Sequence, residues 1–430
     1  MRPILRRALN TAGERESLLR RYRQVRQWTE ILAAPLSAED QTVQSMPDVS
    51  PTKWHRAHAS WFFETFLLQP YGREYRAFAP AYAYLFNSYY EAVGPRHPRP
   101  ERGLLSRPGV AEIARYRAHV DDALARLITE TEDASWPAIA ERIELGLQHE
   151  QQHQELILMD IKHVLSLNPL GPVYKPAPAR PRMDATRLAW RAFEGGLRRI
   201  GHDGAGFAFD NEGPRHKVWL EPFRLASRLV TNGEYAAFIE DGGYRRVNLW
   251  LSDGWATVKQ QGWEAPLYWR RDEEGWSIFT LAGRRALDRA EPVSHVSFYE
   301  ADAFARWCGK RLPSEAEWEI AAVEAAVPLV GDRVEADVFH PTPAPPGAGL
   351  QQMIGEVWQW TASPYVGYPG FCPPEGAIGE YNGKFMANQM VLRGGAAVTP
   401  VGHARMTYRN FFPAAARWVM SGVRLAEDVS

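Results

Sequence analysis

The stretch ELGLQHEQQHQELILMD, Glu144 to Asp160, decides how the first half of the chain is read. His149 and His153 stand four residues apart, and at about 100° per residue this brings both imidazoles to one helix face, about 6 Å apart along the axis. Leu145, Gln152, Leu156 and Asp160 extend that face, so the pair lies in a mostly apolar stripe expected to point into a helical core. A lone histidine on such a face is usually a hydrogen-bonded core residue. Two at ligand spacing, in a chain with only 12 His, point to a metal-binding pair. The same residues, HEQQH, also fit the zinc-hydrolase motif H-E-x-x-H, with Glu150 as general base. Its longer H-E-x-x-H-x-x-G-x-x-H form does not continue, because Leu156 and Met159 occupy the Gly and His positions.

Outward from this stretch, helical periodicity recurs three times before it. Leu18, Tyr22, Val25, Trp28 and Leu32 predict a helix over 14–32. Ser50-Pro51 reads as a helix start, Ser as N-cap and Pro at the first helical position, opening PTKWHRAHASWFFETFLL. There Trp54, His58, Trp61, Phe62 and Thr65 form one stripe, which makes His58 the inward histidine and the candidate third ligand. His55 falls about 60° off the stripe, on a shoulder. Ile113, Val120, Leu124 and Leu127 predict a third helix over 110–130, and the fourth runs over 136–167. Four amphipathic helices imply a four-helix bundle with a metal in its core, held by a facial set of three imidazoles that leaves other positions open. The long segment 84–109 is too rich in Pro, Gly and Arg to be helical throughout. Its adjacent phenols, Tyr89 and Tyr90, are either hydrophobic cover or groups that reach the metal site.

Composition bounds the rest. Lys and Arg number 50 against 51 Asp and Glu, a net charge of −1, and the arginines are scattered, so bulk-charge binding of nucleic acid is not expected. No apolar stretch is long enough to span a membrane and no signal peptide is apparent, so a soluble, cytoplasmic protein is expected. Cys308 and Cys372 alone exclude a disulfide scaffold. Most of the 16 Trp lie after residue 185, and the segment 168–182 is Pro-rich. The expected organisation is therefore a helical bundle over 1–168, a stiff linker over 169–184 and a second domain over 185–430. That second domain has short apolar runs, many Gly and Trp, and two clear helices, over 294–310 and 314–325, and it reads as irregular α+β. PTPAPPGAG, Pro341 to Gly349, reads as an internal loop.

The second half carries GHDGAGFAFDNEGPRHKV (Gly201 to Val218), LVTNGEYAAFI (Leu229 to Ile239), EPVSHVSFYEADAFARWCGKRLPSEAEWEIAA (Glu291 to Ala322), GEVWQWT (Gly355 to Thr361) and VLRGG (Val391 to Gly395). In motif order this resembles the formylglycine-generating-enzyme superfamily, whose fold is C-type-lectin-like. The copper-binding cysteine pair of the founding oxidase has no counterpart in AAVTPVGHARMTYRN, Ala396 to Asn410, so formylglycine formation is not expected. A His-rich four-helix bundle of the DinB type joined to this domain is the architecture of the ergothioneine sulfoxide synthases. The chain resembles that family along nearly its full length, through SPTKWHRAH, LFNSYYEAVGPRHPRP, HEQQHQE, EYNGKFMANQMVLRGG and TYRNFF.

The resemblance implies a mononuclear non-haem iron(II) held by His58, His149 and His153, the set that helical geometry selects. It further implies hercynine, O2 and a small thiol as reactants, joined at C2 of the hercynine imidazole as a sulfoxide. By the same resemblance Gln152 hydrogen-bonds the substrate imidazole, and Asn410 and Phe411 lie near its trimethylammonium group, an aromatic face suiting a cation that donates no hydrogen bond. One branch of the family places a tyrosine where this chain has Gln389, so Tyr89 and Tyr90, matching the NSYYE stretch of the other branch, are the expected proton donors. Where the γ-glutamylcysteine-using branch has an Asp and an Arg, this chain has Phe412 and Ala416, with Arg417 one place displaced. Free cysteine is then the expected donor. RGGAA (Arg393 to Ala397) and FMANQ (Phe385 to Gln389), where relatives commonly read RGGSC and FMCNQ, suggest room for a bulkier one, such as the selenosugar of the related selenoneine synthases. The HEQQH motif leaves a zinc hydrolase open as a competing reading, and the lectin-like domain leaves open a non-catalytic binding module. His55, His119 and His163 are expected to be dispensable for metal binding.

Overall fold

The computed structural model describes residues 2–178, 183–329 and 337–429, with side chains described from residue 12 onward. Residues 179–182 of the Pro-rich linker therefore lie outside the described residues. The chain forms two compact units, Met1–Leu167 with Gly376–Tyr381, and Asn168–Glu375 with Asn382–Ser430. Among the described residues no helix is long and apolar enough to cross a membrane.

The first unit is built on four long helices, α1 (Arg2–Ala33), α2 (Thr52–Phe63), α3 (Val110–Glu130) and α4 (Trp136–Ser166). Helix α1 begins about three turns before the expected start, with Pro3 in its first turn, where a missing N–H costs nothing. Its inward stripe also differs from the apolar one expected. Val25 and Trp28 are half-buried, while Arg26 and Thr29 are buried between Tyr22 and Leu32, for a reason found on α4. Helix α2 is buried on every side and packs against both α3 and α4. It is capped at Pro51 without a side-chain bond, so Ser50 is not the N-cap; its amide is instead bound by Asp160. Beyond Phe63 the helix continues as a π-turn, Glu64–Leu68, and Glu64 accepts hydrogen bonds from the Tyr75 and Tyr116 hydroxyls at 2.5 and 2.7 Å.

Among the described residues the second unit holds twelve short strands. β1 (Trp190–Phe193), β4 (Phe223–Ala226) and β12 (Ala426–Asp428) form a sheet in the order β1-β4-β12, and β2 (Gly196–Ile200) pairs with β3 (His216–Leu220). β5 (Trp269–Asp272), β6 (Gly275–Thr280) and β7 (Gly283–Ala286) form a meander. The fourth sheet runs β10-β9-β8-β11, from β8 (Trp358–Pro364), β9 (Gln389–Arg393), β10 (Asn410–Pro413) and β11 (Ser421–Gly422). Four α-helices accompany them among the described residues: α5 (Asn232–Glu240), α6 (Ser252–Gln261), α7 (Phe298–Trp307) and α8 (Glu315–Glu324). Each of α5, α7 and α8 starts on a capping box, Thr231 with Glu234, Ser297 with Glu300 and Ser314 with Glu317. The aromatic core gathers Phe193, Phe223, Leu225, Trp318 and Met353. At the end of β9, Gly394 has φ +103°, and a Cβ there would meet the Met353 carbonyl oxygen at 2.4 Å, so the RGG turn requires glycine.

Candidate metal centre

α2 supplies one imidazole and α4 two, and the ligand-capable nitrogens of His58, His149 and His153 lie within 4.8 Å of one another. His58 is 0% and His149 1% exposed; His153 is partly buried. Burial pushes all three well down from the ordinary histidine range, His149 to about 3, and the neighbouring imidazoles push His58 and His153 further. The rings are therefore neutral and carry one lone pair each. Nε2 of His58 faces Nε2 of His149 at 3.1 Å, and the His58 Nδ1 donates to the Phe86 carbonyl at 2.6 Å, which leaves Nε2 as its free donor atom. Nδ1 of His149 is buried with no hydrogen-bond partner among the described residues. Three neutral imidazoles converging on one point are a donor set for a single cation, and they fit a divalent metal with open positions.

Aromatic side chains wall the cluster. Trp54 stacks on the His58 ring at 4.7 Å, and Phe62 stacks on His149 at 4.5 Å. Tyr90 packs on Trp61 at 5.5 Å and on Tyr89 at 4.7 Å. The Tyr89–Tyr90 segment is held by Asn87, whose side-chain amide donates to the Tyr90 and Gly94 carbonyls at 3.0 Å, while its oxygen accepts the Tyr90 N–H at 3.2 Å. Tyr90 is wholly buried, and burial, with the Tyr89 and Tyr381 phenols beside it, pushes its pKa well above the ordinary range. Tyr89 is half-buried.

Glu150, the would-be general base, turns away into a cage of cations. One oxygen accepts from Arg26 Nη1 at 2.9 Å, the other from Arg117 Nη2 at 3.0 Å and Thr29 Oγ1 at 2.6 Å. Its carboxyl is 0% exposed; although burial alone raises its pKa, Arg26 and Arg117 bring it down to about 2. A carboxylate with both oxygens committed is no base for a bound water, so this arrangement argues against hydrolase chemistry. It also explains the buried Arg26 and Thr29 on α1.

Two features were not legible in the sequence. His55, on the shoulder of the α2 stripe, is buried, with its Nδ1 2.8 Å from Nδ1 of His153 and its Nε2 2.9 Å from Asp160 Oδ2. Tyr381, from the Gly376–Tyr381 segment, sets its ring edge-on to His149 at 5.7 Å, and its hydroxyl donates to the Gln152 side-chain oxygen. Next to it, the two Glu380 oxygens accept the Glu91 and Ala92 amides at 3.0 and 2.8 Å, pinning the chain just after Tyr90. His119 and His163 stand apart, bonded to the Arg76 carbonyl and the Ser45 hydroxyl.

In the second unit Asn410, Phe411 and Phe412 lie on β10, paired with Leu392, Val391 and Met390 of β9. Phe411 stacks on Tyr365 at 4.0 Å, and Phe412 packs edge-on to Trp418 at 5.6 Å. Arg417 is held by Glu300 at 2.9 Å and lies over Trp263. Ala396 and Ala397 are 1% and 0% exposed, so the room expected from RGGAA is closed by packing, and Ala387 is exposed.

The fold is a helical bundle carrying a three-histidine cluster that could hold a metal, followed by a second unit of short strands and helices. Residues 21–157 match the DinB superfamily model and residues 189–429 the sulfatase-modifying factor enzyme 1-like domain. The chain is 34% identical over 414 residues to a hercynine oxygenase of Mycolicibacterium thermoresistibile, covering 89% of this chain and 88% of that relative. With the hercynine oxygenase of Mycolicibacterium smegmatis it shares 34% identity over 418 residues, covering 90% and 93%. A formylglycine-generating enzyme of Thermomonospora curvata is 33% identical over 40% of this chain and 70% of its own length. The chain belongs to the hercynine oxygenase family, the family of the ergothioneine sulfoxide synthases.

Proposed function

We propose that the protein is an iron(II)-dependent oxidoreductase that uses O2 to join the sulfur of free cysteine to C2 of the hercynine imidazole as a sulfoxide. The reaction balances as thiol plus imidazole C–H plus O2 giving sulfoxide plus water. The observation that supports this reading is the neutral cluster of His58, His149 and His153, with Tyr381 edge-on to His149 and bonded to Gln152, and Tyr90 packed behind Trp61, which lies on the His58 ring. Bound iron(II) would supply O2 activation and a coordination position for the thiolate.

The chain's own residues position and protonate. Tyr381 donates to the Gln152 side-chain oxygen, which fixes that amide as oxygen toward the phenol, and Gln152 is the residue assigned to hydrogen-bond the substrate imidazole. Tyr90, kept protonated by burial, is the proton donor with Tyr89, and Glu380 holds their segment in place. Phe411 offers the kind of aromatic face that a trimethylammonium group binds, with Asn410 beside it.

The donor reading rests on Phe412 and Arg417. Phe412 cannot bind an ammonium group, and Arg417 is already committed to Glu300. Losing one charge-assisted hydrogen bond costs about 1.5–3 kcal/mol, roughly a ten- to hundredfold loss for γ-glutamylcysteine. Mass spectrometry of products from iron-loaded protein, hercynine, O2 and a panel of thiols and selenols tests the reading. The expected product is the hercynine–cysteine sulfoxide. Absence of any hercynine adduct overturns the function, and exclusive coupling of a selenosugar in competition with cysteine overturns the donor.

A further inference from the structure

His55 takes no place in the three-histidine cluster, yet it is buried between His153 and Asp160. His153 and Asp160 lie seven residues apart on α4, about 10 Å along the axis, too far for direct contact. The His55 ring, from α2, spans that gap. The hydrogens follow from elimination. Asp160 Oδ2 accepts the Ser50 N–H at 2.8 Å, and a carboxylate has no proton to give, so His55 Nε2 is the donor in their 2.9 Å contact. A neutral imidazole carries one N–H, which makes His55 Nδ1 an acceptor. Across 2.8 Å it faces His153 Nδ1, which must then hold the proton. His153 is left with its lone pair on Nε2.

We infer that His55 and Asp160 are positioning residues: through two hydrogen bonds in series the Asp160 carboxylate fixes His153 as the Nδ1–H tautomer and presents Nε2 to the metal. This rests on the metal-binding reading above. The relay resembles in effect what the Phe86 carbonyl does directly for His58. It differs in ending on a negative charge, which makes the His153 nitrogen more basic and holds the ring against rotation. The expectation that His55 is dispensable is thereby reversed.

The test uses the full-length protein and three variants, with iron(II) affinity from chelator competition under anaerobic conditions and the absorption bands of the cobalt(II)-loaded form. His55→Leu removes both hydrogen bonds and is expected to weaken iron binding about ten- to hundredfold. His55→Gln can accept from His153 and donate to Asp160, and is expected to return affinity to near the parent. Asp160→Asn keeps an acceptor without the charge; a smaller loss and a shift of the cobalt(II) bands are expected. Parent-like affinity in His55→Leu overturns the inference, as does a loss in His55→Gln equal to that in His55→Leu. If His55→Leu does not fold, Asp160→Asn decides: unchanged affinity and an unchanged cobalt(II) spectrum overturn it. A parent protein that binds no divalent metal sinks the metal reading and this inference together, whereas a parent that binds iron but leaves hercynine unchanged sinks only the proposed reaction.

Discussion

The two sides of α4 around HEQQH bury polar groups to opposite ends. On one side His149 and His153 are neutral, their partners few and directional, and each keeps a nitrogen lone pair not needed by the fold. On the other, Glu150 is ionised, and Arg26, Arg117 and Thr29 occupy both its oxygens. Adjacent residues thus differ completely in what chemistry they can offer. The difference teaches that a buried polar group is available for reaction only to the extent that folding leaves a lone pair or proton unassigned, and the sequence motif alone does not say which residue that is.

The largest expected effect comes from the open side. Replacing His58, His149 or His153 by Ala is expected to reduce iron content to background, because two imidazoles form an incomplete site. His119→Ala and His163→Ala are expected to keep full iron content by metal analysis. Iron retained in His58→Ala would break the contrast at its root. The closed side is probed by Glu150→Gln, which removes the one buried carboxylate shared by Arg26 and Arg117 and leaves them only the partly exposed Asp121 and Glu30. A loss of about 3 kcal/mol of stability is expected, a factor of roughly 150, read by denaturant unfolding of the metal-free protein. A Glu150→Gln protein of parental stability but no activity would instead assign Glu150 to the chemistry.

Smaller effects sharpen the picture of the tyrosines. Tyr89→Phe with Tyr90→Phe is expected to slow carbon–sulfur coupling by about a hundredfold and divert O2 into cysteine sulfinic acid, measured by product ratio. Equal coupling in parent and double variant would reduce both to packing. Tyr381→Phe removes the hydrogen bond to the Gln152 amide oxygen, and a rise of about tenfold in the KM for hercynine is expected, with the thiol KM unchanged. If Gln152→Ala already carries that loss, adding Tyr381→Phe should cost nothing more, since the phenol acts through the amide. Additive losses would show that Tyr381 acts independently of Gln152.

Reading the helices from the sequence worked where periodicity is local. The positions of α2, α3 and α4 follow from apolar spacing. It failed where a polar residue is buried for the sake of a distant one. Arg26 displaced Val25 and Trp28 from the core side of α1 because Glu150 needs a counter-charge, and Ser50 gave up the cap to bind Asp160. Asn87 could have been noticed, since an Asn three residues before Tyr90 is suited to close a turn on its own backbone. For Ala396 and Ala397 composition suggested space, but packing removed it.

What the sequence determines by itself is the set of local relations: two imidazoles on one face of α4, His58 on the apolar stripe of α2, capping boxes at the starts of α5, α7 and α8, and a Pro-rich break between two differently composed halves. These depend on helical pitch and local hydrogen bonding, which a few neighbouring residues encode. The tertiary structure alone decides the partners. Tyr381 reaches Gln152 across 229 residues, Asp160 reaches His153 only through a ring from α2, and Arg26 meets Glu150 across 124. Such contacts arise when separately specified elements pack together, and burial then forces each polar group to find the partner that happens to be there, so the tautomers and charges of the site are consequences of packing rather than of any local motif.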